Sequence, residues 1–213
     1  MLKPEQMRLY AVTDHAWAET DAALLHQIEQ AIAGGAAIVQ LREKHRDKAG
    51  FLALAQAFVR LCREKGAVSI INDEVEIALA CGADGVHIGQ SDATIAHARA
   101  LLGPDTLIGV SAHNPDEAVR AQAAGADYLG AGAAFATGTK ADARPITRET
   151  LRAITAAVNL PVVAIGGVNA ENITLLDHCG LAGVAVVSAL FAQQDVCAAA
   201  QKLRALAESI ARD

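Results

Sequence analysis

Gly125-Ala126-Asp127-Tyr128-Leu129 follows an alanine-rich stretch of helical character and opens a short apolar run. The same junction recurs at Gly35-Ala36-Ala37-Ile38-Val39, Gly82-Ala83-Asp84-Gly85-Val86 and Gly180-Leu181-Ala182-Gly183-Val184. A glycine just past a helix takes the left-handed conformation that a C-cap needs, because it has no Cβ to clash. These four segments therefore read as helix-to-strand joints. Between them lie four more buried-strand candidates, Leu9–Thr13, Val68–Asn72, Leu107–Ser111 and Val162–Ile165, each a short and largely apolar run.

Each of the eight strands is followed by a helical pattern. Asn114-Pro115-Asp116-Glu117 combines an N-cap side chain, a proline in the first turn and carboxylates favoured by the helix dipole. Thr147-Arg148-Glu149 and Asn169-Ala170-Glu171 read as two further starts. Asp47 is expected to cap a helix that carries Phe51, Leu54, Ala55, Phe58 and Leu61 at helical spacing. Short apolar strands alternating with amphipathic helices imply a parallel sheet covered by helices. Two closures compete, an open doubly wound sheet and a closed ring. Eight units, no G-x-G-x-x-G after the first strand and no break in composition favour an α/β, single-domain (β/α)8 TIM barrel over residues 1–213.

Composition agrees. The 213 residues divided among eight units leave about 27 each, near the lower limit for such a barrel. The chain is 53% hydrophobic but only 3% aromatic, with 17 glycines, so it has to pack with small side chains in close layers. Its net charge of −6 is spread without a basic block, which speaks against nucleic-acid binding, since counterion release needs clustered Lys and Arg. No apolar run reaches the roughly 18–20 residues of a membrane span. Met1–Tyr10, with Lys3, Glu5 and Arg8, does not read as a signal peptide, and cytoplasmic residence is the expectation. Cys62, Cys81, Cys179 and Cys197 are scattered, which fits reduced, buried thiols with a structural role.

A barrel of this kind carries its chemistry at the strand C-termini. Polar residues cluster there: Thr13-Asp14, Gln40 to Lys44, Asn72-Asp73, His87 with Gln90-Ser91-Asp92, Ser111 and His113, Thr137-Gly138-Thr139-Lys140, Gly166-Gly167, and Ser188. The opposite joints are mostly Gly, Ala and Pro. Three sub-sites follow. Gly166-Gly167 and Ser188, after strands 7 and 8, lie where barrels bind phosphate on backbone N–H groups, although the glycines also suit a tight turn. Arg42, Lys44 and Lys140 offer a planar fork and point charges suited to a diphosphate, and Arg42 and Lys44 share one side of an extended segment. Asp73 and Asp92 follow neighbouring strands about 5 Å apart and read either as a Mg2+ pair or as helix N-caps. His26, His45, His97 and His178 read as surface residues, whereas His87 and His113 stand at strand ends where they can orient other groups. No G-x-S-x-G, H-E-x-x-H or Cys/His pairing supports covalent or zinc catalysis.

In this order, the segments Leu9-Tyr10-Ala11-Val12-Thr13-Asp14, Val39-Gln40-Leu41-Arg42-Glu43-Lys44, Ile71-Asn72-Asp73, Gly85-Val86-His87-Ile88-Gly89-Gln90-Ser91-Asp92, Gly109-Val110-Ser111, Thr137-Gly138-Thr139-Lys140, Val163-Ala164-Ile165-Gly166-Gly167 and Gly183-Val184-Ala185-Val186-Val187-Ser188 resemble the thiamine-phosphate synthase (thiamine-phosphate pyrophosphorylase) family. The resemblance covers nearly the whole chain.

It implies a transferase of thiamine biosynthesis that joins hydroxymethylpyrimidine diphosphate to hydroxyethylthiazole phosphate and releases pyrophosphate. By resemblance, Gln40, Leu41, Arg42, Glu43, Lys44, Asn72, Ser111 and Lys140 hold the pyrimidine diphosphate. Asp73 and Asp92 bind Mg2+, and Thr137, Gly138, Thr139, Gly167, Val187 and Ser188 hold the thiazole phosphate. The implied reaction is dissociative: diphosphate leaves a ring-stabilised cation, which the thiazole nitrogen captures with its own lone pair. Arg42, Lys44, Lys140 and Ser111 are thus the residues expected to act on the departing charge. The partners expected are these two small molecules, with neither nucleic acid nor membrane, and homo-oligomerisation is left open.

The sequence departs from the family in one loop. Where the family often has Pro-x-Phe-Pro-Thr-Pro-Thr-Lys, this chain reads Ala133-Ala134-Phe135-Ala136-Thr137-Gly138-Thr139-Lys140, and Thr147-Arg148-Glu149 stands in place of a common Gly-Leu-Glu. Fewer prolines imply a less rigid loop between Ala131 and Ile146, the segment expected to act as a lid. Two rival functions are a thiazole tautomerase, for which His113 is a candidate acid or base, and a non-catalytic binding protein for thiamine intermediates. Asp73, Asp92 and Lys44 argue for the synthase.

Overall fold

The computed structural model describes residues 2–90, 92–138 and 144–211, with the side chains of Pro4 and residues 92–94 left aside. Eight parallel strands close into a barrel in sequence order. They are β1 (Leu9–Val12), β2 (Ile38–Leu41), β3 (Val68–Asn72), β4 (Gly85–Ile88), β5 (Leu107–Ala112), β6 (Tyr128–Gly132), β7 (Val162–Ile165) and β8 (Gly183–Val186). The ring is closed by β8 against β1, with Leu9 opposite Val184 and Tyr10 opposite Ala185. The closed barrel is therefore the outcome, and the open sheet is excluded.

Around it run α1 (Asp21–Ala33), α2 (Lys48–Lys65), α3 (Val75–Cys81), α4 (Asp92–Leu102), α5 (Pro115–Ala123), α6 (Arg148–Ala157), the single turn α7 (Ser188–Phe191) and α8 (Val196–Ile210). The expected caps form. Asp47, Asn114 and Thr147 accept from the backbone N–H groups of Gly50, Glu117 and Thr150. All four joint glycines, Gly35, Gly82, Gly125 and Gly180, have positive φ.

The crossing from β7 to β8 differs from expectation. It carries only a 3-10 turn, Ile173–Leu176, against which α8 packs. Asn169 still caps this turn, as its sequence pattern suggests: its Oδ1 accepts from the N–H groups of Glu171 and Asn172, while Asn172 Oδ1 accepts from Asn169 N–H and its Nδ2 donates to the Gly167 carbonyl. These are N–H groups that a first helical turn leaves without backbone partners, so the cap starts the turn and does not set its length.

Burial separates into two layers. The larger lies between strands and helices and holds Leu24, Ile28, Phe51, Phe58, Leu129, Leu151 and Phe191 among others. The smaller fills the barrel with Met7, Tyr10, Val12, Ile38, Ile70, Tyr128, Val163 and Ala185. Both tyrosines of the chain are in that inner layer. Thiol burial is only half as expected, since Cys62 and Cys179 are buried but Cys81 and Cys197 are partly exposed on helix surfaces.

Candidate active site

A cavity opens at the C-terminal ends of the strands. Its wall includes Gln40, Arg42 and Lys44 from β2 and its loop, Asn72 and Asp73 after β3, and Ser111 on β5. Thr137, Gly166, Gly167, Val187 and Ser188 complete the side formed by β6, β7 and β8.

Alternation along an extended chain explains which members of Gln40–Lys44 reach it. Gln40, Arg42 and Lys44 point to the cavity, whereas Leu41 is fully buried in the outer core. Glu43 also turns away: its side chain, 6% exposed, lies 3.1 Å from His15 Nδ1 and 3.5 Å from Arg46 Nε. Leu41 and Glu43, expected to hold the diphosphate, are thus not brought to the cavity wall. Arg42 is held from β1, its N–H donating to Thr13 Oγ1 at 3.0 Å and its guanidinium lying 3.7 Å from Asp14.

Asp73 adopts a left-handed backbone, φ 62°, rare for a residue with a side chain and a marker of constraint at functional sites. Its N–H donates to the His87 carbonyl at 2.8 Å, and its carboxylate accepts from Asn72 Nδ2 at 2.7 Å. The alternative use as a helix cap is excluded for Asp73. The residue at the start of α3 is Glu74, with no side-chain cap bond. The side chain of Asp92, together with Ser91, Thr139 and Lys140, lies outside the described residues.

On the opposite wall, Gly166 and Gly167 have φ of 98° and 66°. A Cβ on Gly167 would collide with the Ala136 carbonyl and one on Gly166 with Ala133, so the loop after β6 lies directly on the glycine pair. Backbone bonds pin it there, from Ala134 N–H to Ile165 O and from Phe135 N–H to Gly166 O, at 2.8 and 2.9 Å. The glycines thus make the tight turn, and both also line the cavity. Thr137 is delivered to the cavity, while Gly138 is exposed and lies off its wall. His26, His45, His97 and His178 are exposed, as expected. His113 lines the rim and sits 2.9 Å from Glu117.

Tyr10 and Tyr128 were not singled out by the sequence, yet they join two site residues through the barrel interior. Gln40 Nε2 donates to Tyr10 Oη at 2.7 Å, the two phenol oxygens are 2.8 Å apart, and Tyr128 Oη is 3.2 Å from His87 Nδ1. His87 Nε2 is then 3.1 Å from Ser111 Oγ. Gln90 donates to the Ser111 carbonyl, so Ser111 is held at both ends. Burial lowers His87 to about 4, which keeps the ring neutral, and raises both phenols well above their usual value. The only advance signal was the placement of the chain's two tyrosines at inward-facing positions of strands.

The same residues place the chain among known proteins. Residues 9–190 match the family described as thiamine monophosphate synthase. A thiamine-phosphate synthase of Ruminiclostridium cellulolyticum is 48% identical over 195 residues, covering 92% of each chain. One of Chloroflexus aurantiacus is 50% identical over 202 residues, covering 93% of this chain and 92% of the relative. The solved structure of a thiamine phosphate pyrophosphorylase from Pyrococcus furiosus superposes with a TM-score of 0.88 at 36% identity, over 97% of this chain and 98% of that one. With the closed barrel and the polar cavity at its mouth, this match shows that the chain belongs to the thiamine monophosphate synthase family.

Proposed function

We propose that the chain, acting as one catalytic barrel over residues 1–213, joins hydroxymethylpyrimidine diphosphate to hydroxyethylthiazole phosphate, yielding thiamine phosphate and pyrophosphate. The observation that carries this reading is one cavity with two differently built walls. Gln40, Arg42, Lys44, Asn72, Asp73 and Ser111 face it on one side, and Thr137, Gly167, Val187 and Ser188 on the other. One wall suits a diphosphate beside a polar heterocycle, the other a monophosphate met by backbone and hydroxyl donors.

In this reading Arg42 and Lys44, with Lys140, stabilise negative charge as the carbon–oxygen bond to the diphosphate breaks. Arg42 is pre-aimed, because Thr13 and Asp14 restrain its backbone and guanidinium before substrate arrives. Gln40, Asn72 and Ser111 orient the pyrimidine half, and Thr137, Gly167, Val187 and Ser188, with Thr139, fix the thiazole half. Two partners held in line make capture of the cation effectively unimolecular. No general base is needed, since the attacking nitrogen carries a lone pair.

A divalent cation fits the residues present. Asp73 turns a carboxylate to the cavity beside Asn72, on a backbone constrained to put it there, and a Mg2+ site commonly uses one or two carboxylates together with substrate phosphates. Asp73 and Asp92 would hold it, and when bound it would neutralise diphosphate charge.

The test is incubation of the protein with both substrates and Mg2+, with assay for thiamine phosphate and pyrophosphate in equal amounts. Binding without product would favour a non-catalytic binding protein. Turnover of a thiazole phosphate tautomer without a Mg2+ requirement would favour a tautomerase.

A further inference from the structure

Ser111 Oγ and His87 Nε2 lie 3.1 Å apart, the spacing of a serine nucleophile and its base. The hydrogen bonds behind His87 give the pair a different role. Gln40 Nε2 can only donate, so Tyr10 Oη is an acceptor toward it. A phenol has a single hydrogen, which Tyr10 then has available for Tyr128 Oη, 2.8 Å away. Tyr128, accepting from Tyr10, keeps its own hydrogen to give, and His87 Nδ1, 3.2 Å away, is the acceptor within its reach. A neutral imidazole that accepts at Nδ1 carries its proton on Nε2 and donates it to Ser111 Oγ. The Ser111 hydrogen is left to point into the cavity that Arg42 and Lys44 line.

We propose that Gln40, Tyr10, Tyr128 and His87 form a one-way hydrogen-bond chain through the barrel interior that holds His87 in its Nε2–H tautomer and makes Ser111 an obligatory donor to the anionic group bound beside it. Tyr10, Tyr128 and His87 are positioning residues in this scheme, and Ser111 is the group that meets the ligand. With Nε2 already protonated, His87 cannot take the Ser111 proton, so the pair does not generate a serine nucleophile. An anionic oxygen only accepts hydrogen bonds, so a serine presenting a lone pair there would repel it, whereas one presenting its hydrogen makes a charge-assisted bond. The inward positions of Gly109 and Gly130 make room for the rings: a Cβ on Gly109 would meet Tyr128, and one on Gly130 would approach His87 Cε1 to 3.1 Å. Identifying the anion as a departing diphosphate rests on the function proposed above; the tautomer does not.

The first measurement is therefore made without substrate. In protein labelled with 15N-histidine, long-range proton–nitrogen correlation at pH 7 should show His87 protonated at Nε2 and bare at Nδ1. A ring protonated at Nδ1, or a mixture, would overturn the chain. The second uses Tyr128→Phe, which keeps the ring but removes the hydroxyl. His87 should then populate both tautomers, and kcat should fall about 10- to 100-fold, the size of one misdirected charge-assisted hydrogen bond, with KM for the thiazole phosphate within about twofold. Unchanged kcat and a single tautomer in Tyr128→Phe would also overturn the proposal. Tyr10→Phe, one step farther along the chain, gives the same two readouts if Tyr128→Phe does not fold. A wild-type protein with the expected tautomer but no synthase activity would refute the functional reading alone, and an active one with the other tautomer would refute only the chain.

Discussion

Gly109 on β5 stands directly opposite Tyr128 on β6, and the tyrosine ring occupies the space where a side chain at Gly109 would project. The pairing ties packing to chemistry, because the hydroxyl of that ring is the central link between Gln40 and Ser111. Gly109→Ala should therefore destabilise the fold by about 1–3 kcal/mol, the usual cost of overpacking. It should also lower kcat by moving the Tyr128 hydroxyl. Chemical denaturation and steady-state kinetics check both effects together, and a stability loss with unaltered kcat would separate the ring's packing from its hydroxyl.

Charge removal on the cationic wall should behave in the opposite way. Arg42 and Lys44 lie on the rim rather than in the core, and the Arg42–Asp14 contact at 3.7 Å is partly exposed. Such a pair contributes at most about 1 kcal/mol. Arg42→Met and Lys44→Met should keep the melting temperature within a few degrees while each lowers kcat by roughly 100-fold or more. A kcat within threefold of wild type would remove either residue from leaving-group stabilisation.

Asp73 allows charge and backbone conformation to be varied separately. Asparagine tolerates a positive φ at least as well as aspartate, so Asp73→Asn should fold normally and require at least about tenfold more Mg2+ for half-maximal rate. Asp73→Ala should add a stability loss of about 1 kcal/mol from the left-handed backbone. An identical Mg2+ titration for wild type and Asp73→Asn would exclude the carboxylate as a metal ligand.

Thiol chemistry should follow burial. Cys62 is pushed up to about 12, chiefly by desolvation, and Cys179 is equally inaccessible. Iodoacetamide at neutral pH should modify Cys81 and Cys197 in the native protein and reach Cys62 and Cys179 only after unfolding. Peptide mapping by mass spectrometry distinguishes the four positions.

His87 contributes to acid sensitivity. Burial takes it from the usual 6.5 to about 4 in the folded chain, so between those values the unfolded chain binds more protons at this residue. Its stabilising contribution is complete above pH 6.5 and is lost as pH falls toward 4, by up to about 3 kcal/mol. Unfolding free energies at pH 7 and pH 5 should consequently differ less in His87→Gln than in wild type. An equal difference in the two proteins would show that His87 titrates normally.

Much of the architecture was written locally. Each strand is a short apolar run, and each of the four quoted joints carries a glycine whose positive φ the structure reproduces. The caps at Asp47, Asn114 and Thr147 depend only on residues within one helical turn, which is why their sequence patterns were enough to locate them. After β7 the start at Asn169 also forms its cap, with Asn169 and Asn172 bonding each other's backbone N–H groups, but a cap marks only where a helical turn begins, and the turn that follows is a single 3-10 turn.

At the site, the division follows the range of the interactions. Gln40, Arg42 and Lys44 were recognisable as a shared face because side chains alternate along an extended segment, and that same alternation sends Leu41 to the core and Glu43 to Arg46 and His15. The sequence by itself determined the eight-unit barrel, the polar strand ends and the family. Closure of the ring decided what no local pattern contains: it set Gly109 against Tyr128 and linked Gln40 on β2 to Ser111 on β5 through Tyr10, Tyr128 and His87. Hydrogen-bond polarity along such a chain depends on contacts between residues up to 118 positions apart, and only tertiary packing brings them within reach.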